Sequence, residues 1–333
     1  MDTDSRGSVY DTRAWTSAWA ASTIERQEVL REHDPPTYLL DYSPFWHGYE
    51  IDTGLGPTWK RPLVTIGSVY SVFGPEYLAA DETTVAHVVE DALGRARDRE
   101  AHGVLVLNLR EEFARRWSAC RPPALTVRLD NTYYRVPGEG ADPVMGDLSK
   151  SARTDWRRRW RRATEAGVRI VEERSPSADA IEEIIGFANG SAIRHGWPVL
   201  YDLPTMQAVL ATPYGRLFRA EFTGRTVGGF LALEHDGQLH LWVGGMDHTA
   251  AREASPYLFL LYELLSPDRE SRWRRIEFGR GNDDFKRKYG FREERLWSLW
   301  YPATEDDAEF CEPRLRALHG ELARCQHTSP EML

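Results

Sequence analysis

Cysteine is scarce in this chain: 333 residues hold three, at Cys120, Cys311 and Cys325. An odd number at wide, irregular spacing excludes a disulfide framework and a cysteine-built structural zinc site. Long apolar runs are missing as well. None approaches the roughly 18 residues that a membrane span needs, so no membrane insertion is expected. The opening Met1-Asp2-Thr3-Asp4-Ser5-Arg6-Gly7 is polar and acidic, which does not fit a secretory signal. The expected compartment is the cytoplasm. Nor is there an excess of positive charge: 42 Lys and Arg against 51 Asp and Glu leave a net charge of −9. That balance speaks against a general nucleic-acid binder.

The composition present, 41% hydrophobic and 28% charged, fits a globular protein, and the length suggests two domains of ordinary size. Charge is unevenly spread. Lys150–Arg169 carries eight basic residues against two acidic ones, and Arg269–Arg292 carries nine against four. An acidic body with two basic patches points to a specific anionic ligand.

Turn and periodicity signals divide the chain. Thr12–His33 reads as helix with Trp15, Trp19, Ile24 and Leu30 inward, Tyr38–Asp41 and Leu63–Phe73 as strands, and Thr83–Ala101 as an amphipathic helix. Val104–Leu109 and Leu125–Val136 are further strands. Pro137-Gly138-Glu139-Gly140-Ala141-Asp142-Pro143 is the best linker. The expected domains are therefore 1–140, 145–303 and a C-terminal helix and tail over 304–333.

In the second domain, Leu148–Ala166 is a helix ended by Gly167, and Val168–Glu173 is a strand. Helices then open at Ser177 and Asp202. Strands follow at Arg216–Phe222, Thr226–His235 and Gln238–Gly244, the last pair joined by a tight Asp236-Gly237 turn. Ser255-Pro256 opens a crossover helix to Leu265, before strand Arg275–Phe278, helical turn Asp283–Lys288 and strand Leu296–Tyr301. A terminal helix is read over Pro313–Arg324. The fold class is α/β with a mixed sheet.

A turn at Asp236-Gly237 would place Gly228 opposite Gly245 and Gly229 opposite Gly244. Paired strand glycines mark either crowding beneath an aromatic such as Trp242 or Phe230, or close approach of another backbone or ligand. In the second case the strand ending at Gly245 would splay from its parallel neighbour ending at Gly279. Val243, Gly244 and Gly245 would then offer N–H groups to an acyl carbonyl. The strand end near Gly279 would deliver Arg280, Asp283 and Lys286 to that cleft: cations for a phosphate or an oxyanion, a carboxylate for a proton. The bland alternative is a solvated charged turn. On the Lys150–Arg169 helix, Leu148, Ala152, Trp156, Trp160 and Ala163 form the apolar face. Arg153, Arg157 and Arg161 flank it on one side, Arg158 and Arg162 on the other. This is either a solvated basic face or a platform for phosphates. His235, His240 and His248 lack a carboxylate or cysteine at ligand spacing, so no metal is expected. Tyr42–Glu50 is dense in aromatics, for packing or for lining a groove.

The order of elements resembles that of the GNAT superfamily of acyltransferases. Glu277-Phe278-Gly279-Arg280-Gly281-x-x-x-Phe285-Lys286-x-x-Tyr289-Gly290 is similar to the ending of its peptidoglycan-type branch, which includes the tandem-GNAT Fem peptidyl transferases. Leu148-Ser149-Lys150-Ser151-x-Arg153-x-x-x-Arg157-x-x-x-Arg161 with Gly167-Val168 is similar to the helix opening their second domain. The resemblance covers Asp147–Tyr301, with the first half compatible with a degenerate GNAT copy. It implies an N-acyltransferase acting on a small-molecule or peptide-like amine. Lys286 would stabilise the transition state with Asp283 and Gly245 beside it. Arg280, Val243, Gly244, Ser255, Arg157 and Arg161 would hold the donor or its phosphates, and His195, Trp197, Tyr201 and Trp242 the acceptor. No permanently bound cofactor is implied. CoA-using GNATs present a glycine-rich loop before the crossover helix, whereas Arg252-Glu253-Ala254-Ser255-Pro256-Tyr257 stands here. Aminoacyl-tRNA, the donor of Fem enzymes, is therefore preferred to acyl-CoA as co-substrate, which makes tRNA a partner. A GNAT-fold binding protein without activity is the third reading.

Overall fold

The computed structural model describes residues 7–136, 144, 148–250, 254–266 and 272–328. Its first elements are α1 (Arg13–Ala20), β1 (Arg26–Arg31), β2 (Thr37–Tyr42), α2 (Pro44–Thr53), β3 (Leu63–Ile66), α3 (Glu82–Asp98), β4 (Gly103–Arg110), α4 (Glu111–Cys120) and β5 (Leu125–Arg135). After them come α5 (Lys150–Glu165), β6 (Arg169–Glu173), α6 (Ala178–Arg194), α7 (Leu203–Leu210), β7 (Gly215–Phe222), β8 (Arg225–His235) and β9 (Gln238–Met246). The last are α8 (Pro256–Leu264), β10 (Arg275–Glu277), α9 (Asp283–Lys288), β11 (Arg292–Pro302) and α10 (Glu305–Cys325).

The chain forms two compact units. Unit 1 takes residues up to Asn131, Gly196–Leu200 and everything from Glu294 on; unit 2 takes Thr132–His195 and Tyr201–Glu293. The linker expected to separate two continuous domains lies outside the described residues. The final strand and helix do not stay with the second domain. β11 pairs antiparallel with β4, Trp297 opposite Leu109 and Trp300 opposite Leu105, which draws the C-terminal elements into unit 1.

In unit 1, β1, β2 and β3 are antiparallel, and β3 runs parallel to β4 through the α3 crossover. Val85, Val88, Val89, Leu93 and Trp117 of α3 and α4 pack with Val64, Val106, Trp297 and Leu299 of the strands. The helix expected over Thr12–His33 is two elements. α1 buries Trp15 and Trp19 and stops at Ala20, and the following stretch is strand β1, facing β2 with Val29 opposite Tyr38. The strand expected to reach Phe73 stops at Ile66. The terminal helix starts at Glu305, ahead of the expected Pro313, because the Thr304 hydroxyl caps the Asp307 N–H and three acids occupy its first turn.

Unit 2 orders its strands as the end of β5, then β10, β9, β8, β7 and β6. Only β9 and β10 are parallel, as the α8 crossover requires. Helix caps fall where the sequence places them: Ser149, Ser177 and Asp202 accept N–H bonds from Ala152, Ala180 and Thr205. Trp156 of α5 and Leu258, Phe259 and Leu261 of α8 share a core with Phe230, Ala232 and Leu241. Helix α6 packs on the opposite face, where Ile184 fills the space above Gly229. Among the described residues no helix is long and apolar enough to cross a membrane.

Candidate active site

Strands β9 and β10 pair for three residues and then part. Arg275, Ile276 and Glu277 face Gln238, Leu239 and His240, after which β9 runs on to Met246 without β10. The chain leaving β10 turns to β5: the Phe278 N–H bonds to the Tyr133 carbonyl at 2.7 Å, and Tyr133 returns a bond to Gly279. Gly279 and Gly281 make this departure in the left-handed region, at φ +65° and +71°. Along this edge of β9, pairing with β10 ends at His240.

The hairpin that carries this edge holds a bulge. Pairing follows the expected register from His235–Gln238 back to Ala232–Leu241, then slips so that Leu231 faces Val243 and Trp242 has no opposite residue. Gly229 therefore faces Gly245, and Phe230 faces Gly244, one position off the expected glycine pairs. Packing constrains both glycines, each by a different neighbour. A Cβ on Gly244 would lie 2.9 Å from the Phe230 ring, while one on Gly245 would lie 2.3 Å from the Ile184 carbonyl oxygen. Gly245 seats α6; Gly244 lies under an aromatic.

Beside the end of β9 is a cavity of about 310 Å³. Gly244, Met246 and His248 line it from β9 and the residues after it, Ser255–Leu258 from the start of α8, Ser191 from α6, Arg159 from α5, and Asn282 and Phe285 from around α9. Ser255 is the N-cap of α8 but not by the expected side-chain bond; it sits at φ +40°, a conformation that L-residues other than glycine, Asn and Asp seldom adopt. Non-glycine strain of this kind gathers at functional sites. Arg159 is half-buried and its Nε donates to both oxygens of Asp155 at 3.1 and 3.2 Å. Among the described residues the lining contains no carboxylate. Such a wall suits an uncharged acyl chain with an anion at its edge.

Residues 150–287 match the family model for the acetyltransferase (GNAT) domain. This segment is a GNAT acetyltransferase domain. The chain is accordingly an acyltransferase. Solved structures share its fold: FemX is similar at TM-score 0.59 and 8% identity, over 93% of this chain and 96% of that one. L-PGS from Bacillus licheniformis is similar at TM-score 0.56 and 10% identity, over 89% and 90%. The C-terminal domain (DUF2156) of a putative lysylphosphatidylglycerol synthetase from Agrobacterium fabrum gives TM-score 0.51 and 14% identity, over 76% and 80%. No curated protein sequence matches.

Within the GNAT domain, the three charged residues expected in the cleft take other places. Lys286 is buried, and its ammonium donates to the Gly279 and Arg280 carbonyls at 2.9 and 3.0 Å. Asp283 accepts the Tyr133 hydroxyl at 2.6 Å; burial first, then that bond and the nearby carboxylates, raise the phenol far above its usual range. Arg280 lies near Tyr201, whose hydroxyl is pushed up to about 12 by burial against the pull of the Arg280 charge. The cavity takes Asn282 and Phe285 from this stretch instead.

Arg157 and Arg161 are exposed, and it is Arg159 that the helix turns toward the cavity. Val243 is buried and Trp242 half-buried, neither of them lining the cavity. Of the acceptor candidates, His195 is exposed at the end of α6, and Tyr201 exchanges backbone bonds with the Asn189 amide at 2.8 and 3.0 Å. Trp197 belongs to unit 1, where its ring covers Gly48 of α2 and its indole donates to Asp52 at 2.7 Å. The aromatic run Tyr42–Glu50 is largely that helix, with Trp46 and Tyr49 buried.

Unit 1 repeats the parallel pair without the opening. β3 and β4 pair through Ile66–Val106, and the chain itself then fills the divergence. Asn108, at φ +58°, donates to the Ser71 carbonyl at 2.7 Å, and its own carbonyl accepts the Gly74 N–H at 2.9 Å. Gly74 packs so closely that a Cβ would lie 2.0 Å from the Leu107 carbonyl oxygen.

Proposed function

We propose that this acyltransferase moves an aminoacyl group from aminoacyl-tRNA to the amine of a small-molecule or peptide-like acceptor, forming an amide. The observation that carries the reading is the entry to α8. Pro256 occupies its first position behind the left-handed Ser255, where CoA-using GNAT domains offer glycine N–H groups to a pyrophosphate. Proline has no N–H to give. The exposed Arg157, Arg158, Arg161 and Arg162 of α5 support a polyanionic donor.

In this reaction the amine lone pair attacks the ester carbonyl carbon, and the carbonyl oxygen becomes an oxyanion. Backbone N–H groups of β9 beyond the end of its pairing with β10 are suited to receive it. Collapse expels the ribose oxygen, which takes up a proton, while the amine nitrogen gives one up. Asp283, a carboxylate that accepts the Tyr133 hydroxyl, is the candidate acceptor. Lys286 fixes the turn that parts β10 from β9 and brings positive charge to it. The acceptor side is assigned to Tyr201, Trp242 and His195.

Acyl transfer from acetyl-CoA is the second reading, favoured by the apolar part of the cavity wall at Met246, Tyr257, Leu258 and Phe285. Incubation with labelled aminoacyl-tRNA or acetyl-CoA and a panel of amines separates the two. Label in an amide product, abolished by prior RNase treatment of the donor, is expected. Transfer from acetyl-CoA alone would refute the tRNA reading.

A further inference from the structure

The donor reading leaves a gap: if the loop before α8 does not hold phosphate, something else must. Arg159 has the geometry for it. Its Nε is pinned by Asp155, and among the described residues neither Nη group has a partner. A guanidinium held by one edge, on a residue that lines a cavity with no carboxylate among its described lining residues, is a fork for an anion.

The brace extends further. Asp155 also accepts the Tyr289 hydroxyl at 2.8 Å and the Arg158 guanidinium at 2.8 Å, and the Lys288 ammonium stands 3.9 Å away. Tyr289 is itself buried, its ring edge-on to Trp156 at 5.3 Å and tilted against Phe285 at 4.6 Å. A rigid aromatic cluster therefore sets the Asp155 carboxylate, and the carboxylate sets Arg159.

We propose that Arg159 reads a phosphate ester of the acyl donor, with Asp155 and Tyr289 as positioning residues that aim its guanidinium into the cavity. This rests on the acyl-transfer reading and names the group on the donor that the site recognises. A phosphate ester is common to coenzyme A and to the 3′ end of a tRNA, so the chemistry is shared and the source is left to experiment.

The test is binding, with turnover measured separately. Coenzyme A and a short RNA hairpin carrying a tRNA-like single-stranded 3′ end are titrated into the full chain at several salt concentrations. Whichever probe the wild type binds, Arg159→Ala should weaken it about tenfold and lower the salt slope by about one. Arg159→Lys should recover part of the loss. Tyr289→Phe should weaken binding by a smaller factor, and add nothing in the Arg159→Ala background. Arg324→Ala, on exposed α10, should change neither value.

Binding of neither probe by the wild type, or unchanged affinity and salt slope in Arg159→Ala, would overturn the proposal. So would a Tyr289→Phe effect that persists undiminished without Arg159, because the tyrosine would then be acting on folding alone. If the binding pattern holds while neither donor supports amide formation, the functional reading fails and this assignment stands.

Discussion

Gly245 of β9 and Ile184 of α6 meet backbone to backbone, the position of an added Cβ lying 2.3 Å from the isoleucine carbonyl oxygen. Gly245→Ala must push the helix away from the bulged strand, and overpacking of this kind costs about 1–3 kcal/mol. Gly186→Ala on the same helix meets nothing within 4 Å and should instead stabilise by about 0.5–1 kcal/mol. Urea denaturation of the two variants checks both signs; equal midpoints would contradict the close approach.

Lys286→Met keeps the aliphatic stem but removes the donor shared by Gly279 and Arg280. Leaving buried carbonyls unsatisfied should cost about 1–3 kcal/mol in denaturant unfolding. Turnover should fall by about tenfold or more at a temperature where the variant is folded, since the charge beside the diverging strands is lost. Lowered stability with unchanged turnover would leave the lysine as a brace only.

Asp155 gives a pH dependence. Partial burial works against its charge, yet the Tyr289 hydroxyl and the Arg158 and Arg159 guanidinium groups bring it down to about 2. A carboxyl lowered on folding contributes stability above its unfolded value, near 4, and loses it as pH falls through the folded value. Asp155→Asn should therefore be less stable than wild type at pH 7, by about 1 kcal/mol for a partly screened site. The two should converge as pH drops from 4 toward 2. A gap that stays constant over that range would show the carboxylate charge to be idle.

Ser255 holds φ +40° at the mouth of the cavity. Ser255→Val should lose about 1–2 kcal/mol, because a β-branched side chain clashes in the left-handed region. Ser255→Gly should remain folded with a melting temperature close to wild type, and a large loss on glycine substitution would place the role of Ser255 in its hydroxyl.

Much of unit 2 was legible because its signals are local. The Ser177 and Asp202 caps, the Asp236-Gly237 turn and the Asp283–Lys288 turn each depend on neighbouring residues. The bulge at Trp242 was not, since a register slip is decided by what packs on the strand, here α6 on Gly245. Arg159 was passed over for a related reason: five arginines in six positions put basic residues on both flanks of the apolar face of α5, and only the packing of Trp156 and Trp160 on α8 fixes which one turns toward the cavity. The burial of Lys286 was equally hidden, because its partners are main-chain carbonyls that any sequence would supply.

The return of residues 294–333 to unit 1 bears on the timing of synthesis. Leu109 emerges from the ribosome long before Trp297, the residue it must face across β4 and β11. Unit 1 is begun first and finished last, and β4 waits with an unpaired edge while all of unit 2 is made. Chains truncated after residue 293 should thus expose that edge and aggregate, even though every residue of unit 2 is present in them.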